Sequence, residues 1–305
     1  MTDGFAYVDG RFCPIADAKI SVLDPGFTRS DVVYDVTSTW KGKFFRLDEH
    51  IARFLRSCAG IDLKCPYAPA DLKRILATCV ERGGLADGAY VSMALTRGPY
   101  REEAQSSRDI LSTVPCFIAY AVPYLWIADA HLQEKGLHMI VAKTARIPDA
   151  CVDMQFKNYH WGDLTRSRFE ARAAGADCAV LCSIEGYLTE GAGFNVFFAS
   201  AGRLFTAARN VLRGITRQSI LDLAAELKIP AEVGDFTPAE LRAADEAFIT
   251  STAGGVMPIA RIDDRIFDAR GPGPLSTRLR TEYWRRREQG WLGTSVESIL
   301  QDRSI

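Results

Sequence analysis

The chain has 305 residues, 48% hydrophobic and 25% charged, with a formal net charge of −1. That length allows a proper core in one large or two ordinary domains, and near-neutral charge without a basic stripe among aromatics argues against a nucleic-acid partner. No apolar run reaches the length of a membrane span, and the start, Met1 to Tyr7, lacks the basic-then-apolar pattern of a secretory signal.

Phe5 to Cys13 is predicted as two short strands around an Asp9-Gly10 turn, and Val32 to Leu47 repeats that signature around Lys41-Gly42. The period then changes. Ile51, Phe54, Leu55 and Cys58 sit at helical spacing, which predicts a helix over 48–59 capped by Asp48. A second helix is expected over 71–81 and strands over 89–96 and 116–122, with a polar loop, 98–109, between them. Residues 123–135 carry no clear period and are read as a linker between a domain over 1–122 and another over 136–305. In the second domain the pattern predicts a strand over 138–143 and a helix over 163–174. Strands follow near 178–183, 187–189, 195–199 and 203–206, then a helix over 217–227. A turn with a short helix over 236–243, a strand over 246–252 and a helix over 275–289 complete the chain. Strands and helices mix without a strict βαβ rhythm, so the fold class expected is α+β in two domains. The basic run Arg278 to Arg287 reads as the solvated face of the last helix. The eight cysteines are scattered and read as reduced thiols of a cytoplasmic protein, with no metal site among them.

Lys157 stands out because of its neighbours, Phe156, Asn158, Tyr159, His160 and Trp161. An ammonium among aromatics snorkels, pairs with an acid or loses its proton. A neutral amine is what a Schiff-base enzyme uses against a carbonyl. Two further segments read as anion cradles. Leu212-Arg213-Gly214-Ile215-Thr216 places a glycine and a threonine at the opening of a helix, where free N–H groups and the helix dipole favour a phosphate. Ser251-Thr252-Ala253-Gly254-Gly255 is a second such turn after an apolar strand. Taken singly, each is more commonly an ordinary turn. Glu190 precedes a small-residue turn, and a carboxylate among apolar neighbours wants a cationic or proton-donating partner, for which a pyridinium nitrogen would serve. Gly191-Ala192-Gly193 lacks the third glycine of a dinucleotide fingerprint, and there is no Walker loop and no Gly-x-Ser-x-Gly elbow.

Six ordered blocks, 23–36, 45–53, 157–164, 188–195, 212–217 and 251–258, together resemble the fold-type IV pyridoxal-phosphate enzymes. These are the branched-chain and D-amino-acid aminotransferases, and the likeness is greatest to the (R)-selective amine transaminases. The resemblance implies a small α/β domain, a larger pseudo-barrel domain, pyridoxal 5'-phosphate between them, and a homodimer whose site lies near the subunit interface. It implies that Lys157 forms the Schiff base and shuttles the proton, and that Glu190 holds the pyridine nitrogen. Arg53, Ile215, Thr216 and Thr252 would bind the phosphate, with Leu212 against the ring. The implied reaction is ping-pong transfer of an amino group from a primary (R)-amine or D-amino acid to a 2-oxo acid such as pyruvate. A branched-chain L-amino-acid aminotransferase is the alternative, and a lyase of the same fold a more distant one.

Tyr34, Val36 and Trp161 match pocket residues of the (R)-amine group, whereas Arg29 stands where its fungal members carry histidine and Ser92 where the group has glutamate. Arg101 and Arg108 are candidates for a mobile arginine that clamps a carboxylate. An arginine near the site would favour substrates that carry that group.

Overall fold

The structure is a computed structural model that describes residues 3–102, 106, 109–110, 112–267 and 272–302. By packing, the chain divides into two units. The first comprises residues 1–125, 156–159 and 287–305, and the second comprises residues 126–155 and 160–286.

The first unit opens with β1 (Phe5–Val8), β2 (Arg11–Pro14) and one helical turn, α1 (Pro25–Thr28). It continues with β3 (Val32–Trp40), β4 (Lys43–Phe45), α2 (Leu47–Gly60), α3 (Pro69–Arg82), β5 (Gly88–Thr96) and β6 (Cys116–Pro123). Both expected hairpins form, with positive φ at Asp9 and Gly10 and at Lys41 and Gly42. Such turns match the twist of the flanking strands. The sheet runs β4-β3-β5-β6-β1-β2, with one more strand beyond β4 from the carboxyl end. One face carries Val33, Val91, Met93, Leu95, Phe117 and Ala119 against Leu47, Ile51, Phe54, Leu72 and Leu76 of the two helices. The other face carries Tyr34, Val36, Tyr90, Ser92 and Tyr120, which follows from the two-residue period of a strand. β4 pairs with β3 only at Thr39 and Trp40, so the Val32–Val36 edge of β3 stays open to another segment.

The second unit begins with α4 (Ala130–Lys135), β7 (Leu137–Ala145), α5 (Gly162–Ala173), β8 (Cys178–Cys182), β9 (Leu188–Gly191), β10 (Phe194–Ser200) and β11 (Arg203–Ala207). It goes on through α6 (Ile215–Glu226), β12 (Ala231–Gly234), α7 (Pro238–Ala243), β13 (Glu246–Ser251), β14 (Gly255–Ile262) and β15 (Arg265–Ile266). The strand order β10-β13-β14-β7-β8-β9 returns to β10, because β9 also pairs with β10. Six strands therefore close into a ring, the pseudo-barrel, and β11 and β12 branch from it. Leu137, Met139, Val180, Leu188, Phe194, Val196, Phe198, Ile249, Met257 and Ile259 form its apolar core. The chain ends with α8 (Pro274–Glu288), β16 (Gly293–Ser295), which is the strand beyond β4, and α9 (Val296–Gln301).

The structure departs from the sequence reading at several places. α2 starts at Leu47 behind a left-handed Arg46, so Asp48 lies in its first turn and is not its cap. The 123–135 segment is not structureless, because Asp129 accepts the Leu132 N–H at 2.9 Å and starts α4. β14 escapes the pattern because Pro258 and two glycines mask an otherwise apolar run. Arg287, read as solvated, is buried against the Phe45 ring, with Nη2 donating to Ser38. The two units also part company with the expected domains. Residues 156–159 and 287–305 pack with the first unit, the former beside β3 and the latter through the β16–β4 pairing.

Candidate active site

The open edge of β3 is where Lys157 is fixed. Tyr34 donates its N–H to the Lys157 carbonyl at 3.0 Å, Asn158 bridges to Val33, and the Lys157 N–H donates to Ser57 Oγ at 3.0 Å. Ser57 in turn donates to the Arg53 carbonyl within α2. The backbone of this segment is thus fastened by a strand and a helix at once. The side chain is half-buried rather than buried, with Nζ 4.4 Å from the centre of the Tyr34 ring, whose π face attracts a cation. The Tyr159 ring lies 4.4 Å from that of Tyr34. Burial, with Tyr34 and Tyr120 beside them, raises the phenols of Tyr90 and Tyr159. They remain protonated donors at any physiological pH.

On the opposite face of β3, Arg53 meets a partner that the sequence reading missed. Its Nε and Nη2 donate to the two carboxylate oxygens of Asp35 at 2.7 and 2.8 Å, and His50 Nδ1 faces Asp35 Oδ1 at 2.7 Å. Burial alone would raise the Asp35 carboxyl, but the Arg53 charge and the hydrogen bonds from Arg53 and His50 hold it well below the usual carboxylate range. Burial lowers His50 more than Asp35 raises it, so the ring is neutral and Nδ1 carries the proton given to Asp35. The Arg53 fork, expected to serve a phosphate, is therefore already oriented by Asp35. Asp35 shares its face of β3 with Val33, Thr37 and Thr39, so one more polar residue there does not stand out in the sequence.

Val36 and Ser92 are cross-strand neighbours, both buried, on the face that carries Tyr34. Arg29 is exposed and donates from Nη1 to the Tyr100 hydroxyl at 3.0 Å. Arg101 is also exposed, on the same short segment as Tyr100. Arg108 lies outside the described residues.

The second unit holds the acid. Glu190 is 6% exposed, on β9 rather than in a turn. Its Oε1 accepts from Arg146 Nη2 at 2.9 Å and Nε at 3.3 Å, and its Oε2 accepts the Leu212 N–H at 3.0 Å. Arg146 Nη1 donates to Asp163 Oδ2 at 2.6 Å, and Asp163 is fixed by the N–H groups of Ile147 and Leu164 at 2.8 and 2.7 Å. Burial opposes the Arg146 charge, but the two carboxylates outweigh it and raise its pKa. The sequence reading had neither Arg146 nor Asp163. Two carboxylates on one guanidinium make an acidic setting, which suits a cationic ring nitrogen.

Leu212 stands at the approach to α6, where Asn195 Nδ2 donates to its carbonyl at 2.9 Å. Gly214 is the residue before α6, and a Cβ there would lie 2.1 Å from Asn195 Oδ1, so only glycine fits. No side chain caps α6, which leaves the amides of Ile215, Thr216 and Arg217 directed at an anion site of the helix N-terminus. Arg217 is 5% exposed, and among the described residues it has no carboxylate within ion-pair distance. Its donors go to Thr206 Oγ1 and the Ala207 carbonyl, and burial lowers its pKa. A cation at the first turn of a helix opposes the helix dipole, so an anion there would relieve two unfavourable terms together. The second expected turn, with Thr252, is sewn to the β9–β10 turn by Ser251 Oγ, which donates to the Gly193 carbonyl at 2.9 Å and accepts the Ala253 N–H. Trp161 packs its ring against Gly193. A phosphate and a protonated ring nitrogen both fit what this unit offers.

Residues 32–262 match the amino-transferase class IV family. The chain is 32% identical over 271 residues to a D-alanine aminotransferase of Listeria monocytogenes, covering 86% of this chain and 89% of that one. It is 29% identical over 279 residues to a putative branched-chain-amino-acid aminotransferase of Methanocaldococcus jannaschii, covering 91% and 94%. Among solved structures, a T.th. branched-chain amino acid aminotransferase with pyridoxamine 5'-phosphate superposes with a TM-score of 0.88 at 29% identity, over 96% of this chain and 99% of that one. The chain belongs to the class IV aminotransferases and, as one of them, is an enzyme that uses pyridoxal 5'-phosphate to move amino groups.

Proposed function

We propose that this aminotransferase takes the amino group of a primary (R)-amine or a D-amino acid and passes it to a 2-oxo acid such as pyruvate, in two half-reactions. The observation that carries the reading is Lys157, a primary amine whose backbone is fastened by β3 and α2 while Nζ rests on the Tyr34 ring. When bound, pyridoxal phosphate supplies the aldehyde that takes up the amino group and a ring that draws electrons from the carbon being deprotonated. Lys157 would hold the cofactor by its amine and would carry the proton at the substrate carbon. Tyr34 steadies the amine, and the neutral phenols of Tyr90 and Tyr159 leave no phenolate to compete for its proton. Arg53, the α6 amides with Ile215 and Thr216, and Thr252 are the groups that would hold the phosphate. Glu190 would hold the ring nitrogen, and Leu212 would pack on the ring.

Relatives named D-alanine aminotransferases support a D-amino-acid donor. Arg29, linked to the Arg101 segment through Tyr100, would supply a guanidinium for a substrate carboxylate, and Val36, Ser92 and Trp161 are pocket residues on the strength of the family resemblance. Branched-chain L-amino acids are the second reading, favoured by relatives and solved structures named for them. We further propose a cytoplasmic homodimer. Val22, Leu23 and Phe27 are 71%, 72% and 66% exposed and form an apolar stretch beside Arg29, of the kind a second subunit covers.

A half-reaction screen followed by absorbance tests the reading. It compares (R)- and (S)-1-phenylethylamine, D- and L-alanine, and L-leucine. Conversion of the cofactor by the (R)-amine and D-alanine is expected, and reaction with L-leucine alone would replace the first reading by the second.

A further inference from the structure

Glu190 has two flexible torsions before its carboxylate, and a buried acid with one hydrogen bond would favour its protonated form. A protonated Glu190 cannot keep a ring nitrogen protonated. Arg146 and Arg217 both bear on it. Arg217 adds charge through space, yet its donors go to Thr206 and Ala207, so it cannot orient the carboxylate. Arg146 supplies both charge and direction, with two donors on Oε1 while the Leu212 N–H holds Oε2. Arg146 is itself unable to turn away, because Nη1 is bound to Asp163, and Asp163, at the start of α5, accepts the N–H groups of Ile147 after β7 and Leu164 in α5. The chain of contacts therefore runs from a helix terminus through one guanidinium to one carboxylate, every member at most 8% exposed.

We propose that Arg146 is a positioning residue for Glu190, and Asp163 for Arg146, so that the second unit presents one fixed, ionised carboxylate selective for a protonated ring nitrogen. This rests on the reading that Glu190 meets that nitrogen. A guanidinium that only filled space would stabilise the fold without influencing which ring is bound.

The test compares the affinity of the full-length protein, freed of cofactor, for pyridoxal phosphate and for 1-deazapyridoxal phosphate, which has carbon in place of the ring nitrogen. Binding is read by quenching of intrinsic fluorescence, with thermal melting followed in parallel. Wild type is expected to prefer pyridoxal phosphate by about 10-fold or more, the scale of a charge-assisted hydrogen bond. Arg146→Met should bring that ratio close to one, and Arg146→Lys, which keeps charge without the fork, should leave it intermediate. If Glu190→Gln abolishes the preference and Arg146→Met keeps it, the positioning role is overturned while the role of Glu190 stands. If Glu190→Gln keeps the preference, the underlying reading of Glu190 is what fails. Should Arg146→Met not fold, Asp163→Asn makes the same test, since it loosens Arg146 and keeps the Arg146–Glu190 charge pair. A ratio unchanged by Asp163→Asn overturns the proposal.

Discussion

Each unit buries a group that joins carboxylate to guanidinium, and the two groups are built differently. In the first, Asp35 and Arg53 balance, and His50 is neutral. In the second, Asp163 and Glu190 share Arg146, while Arg217 bears on Glu190 through space and spends its donors elsewhere. A balanced buried pair is satisfied by itself and acts as an anchor. Two carboxylates held by one shared guanidinium form an acidic surface that favours a cationic ligand. The first group thus reads as a device that orients a guanidinium, and the second as half of a binding contact.

The largest effect expected lies in the group that neither cluster replaces. Lys157→Ala should lower transamination by about 10⁴-fold or more, with loss of the proton-transfer step, and should remove the absorbance shift that amines produce. A variant that keeps both would show that the catalytic amine lies elsewhere. Next comes Asp35→Ala, which strands Arg53 in the interior and should reduce stability by about 3–5 kcal/mol in urea unfolding. A change near zero would mean that the first group is not the anchor described. Glu190→Gln should keep most of the stability and lower the half-reaction rate by about 10²-fold. If it destabilised like Asp35→Ala and left the rate intact, the contrast between the two groups would be reversed.

The smallest effect is in pH dependence. His50 has an ordinary value of 6.5 and is lowered in the fold, so below that pH the unfolded chain takes up the proton more readily. Its contribution is present above pH 6.5 and is lost as pH falls toward the folded value. Asp35, ordinarily 3.8, is lowered too, so its contribution is complete above that pH and fades only in stronger acid. His50→Asn, which retains an N–H donor for Asp35, should flatten the decline in melting temperature between pH 6.5 and 4. An unchanged decline would assign it to other groups.

What the sequence made legible was local in character. Turn residues with two-residue alternation on either side located β1–β4, and glycine with threonine before an apolar helical period located the opening of α6. Glu190 and Lys157 were visible as charges in apolar or aromatic company. Asp35, His50, Arg146 and Asp163 were not, because each becomes significant only through a partner between 15 and 44 residues away in the chain. β14 was hidden by its own proline, and α4 was too short to show a period. Within the basic run Arg278 to Arg287, the apparent polarity misled at Arg287 for a similar reason. A guanidinium reads as solvated until its aromatic neighbour, here Phe45, is known.

The ring closed by β9 and β10 has one more consequence. A closed ring leaves no strand edge available to a second chain, whereas a branch must end somewhere. The end of this branch is β12, joined only to β11, with Ala231, Glu232 and Val233 exposed. Its backbone amides should exchange with solvent deuterium long before those of β10 and β13, which have strands on both sides. Glu232, a charge on that outermost strand, guards it against pairing with another molecule.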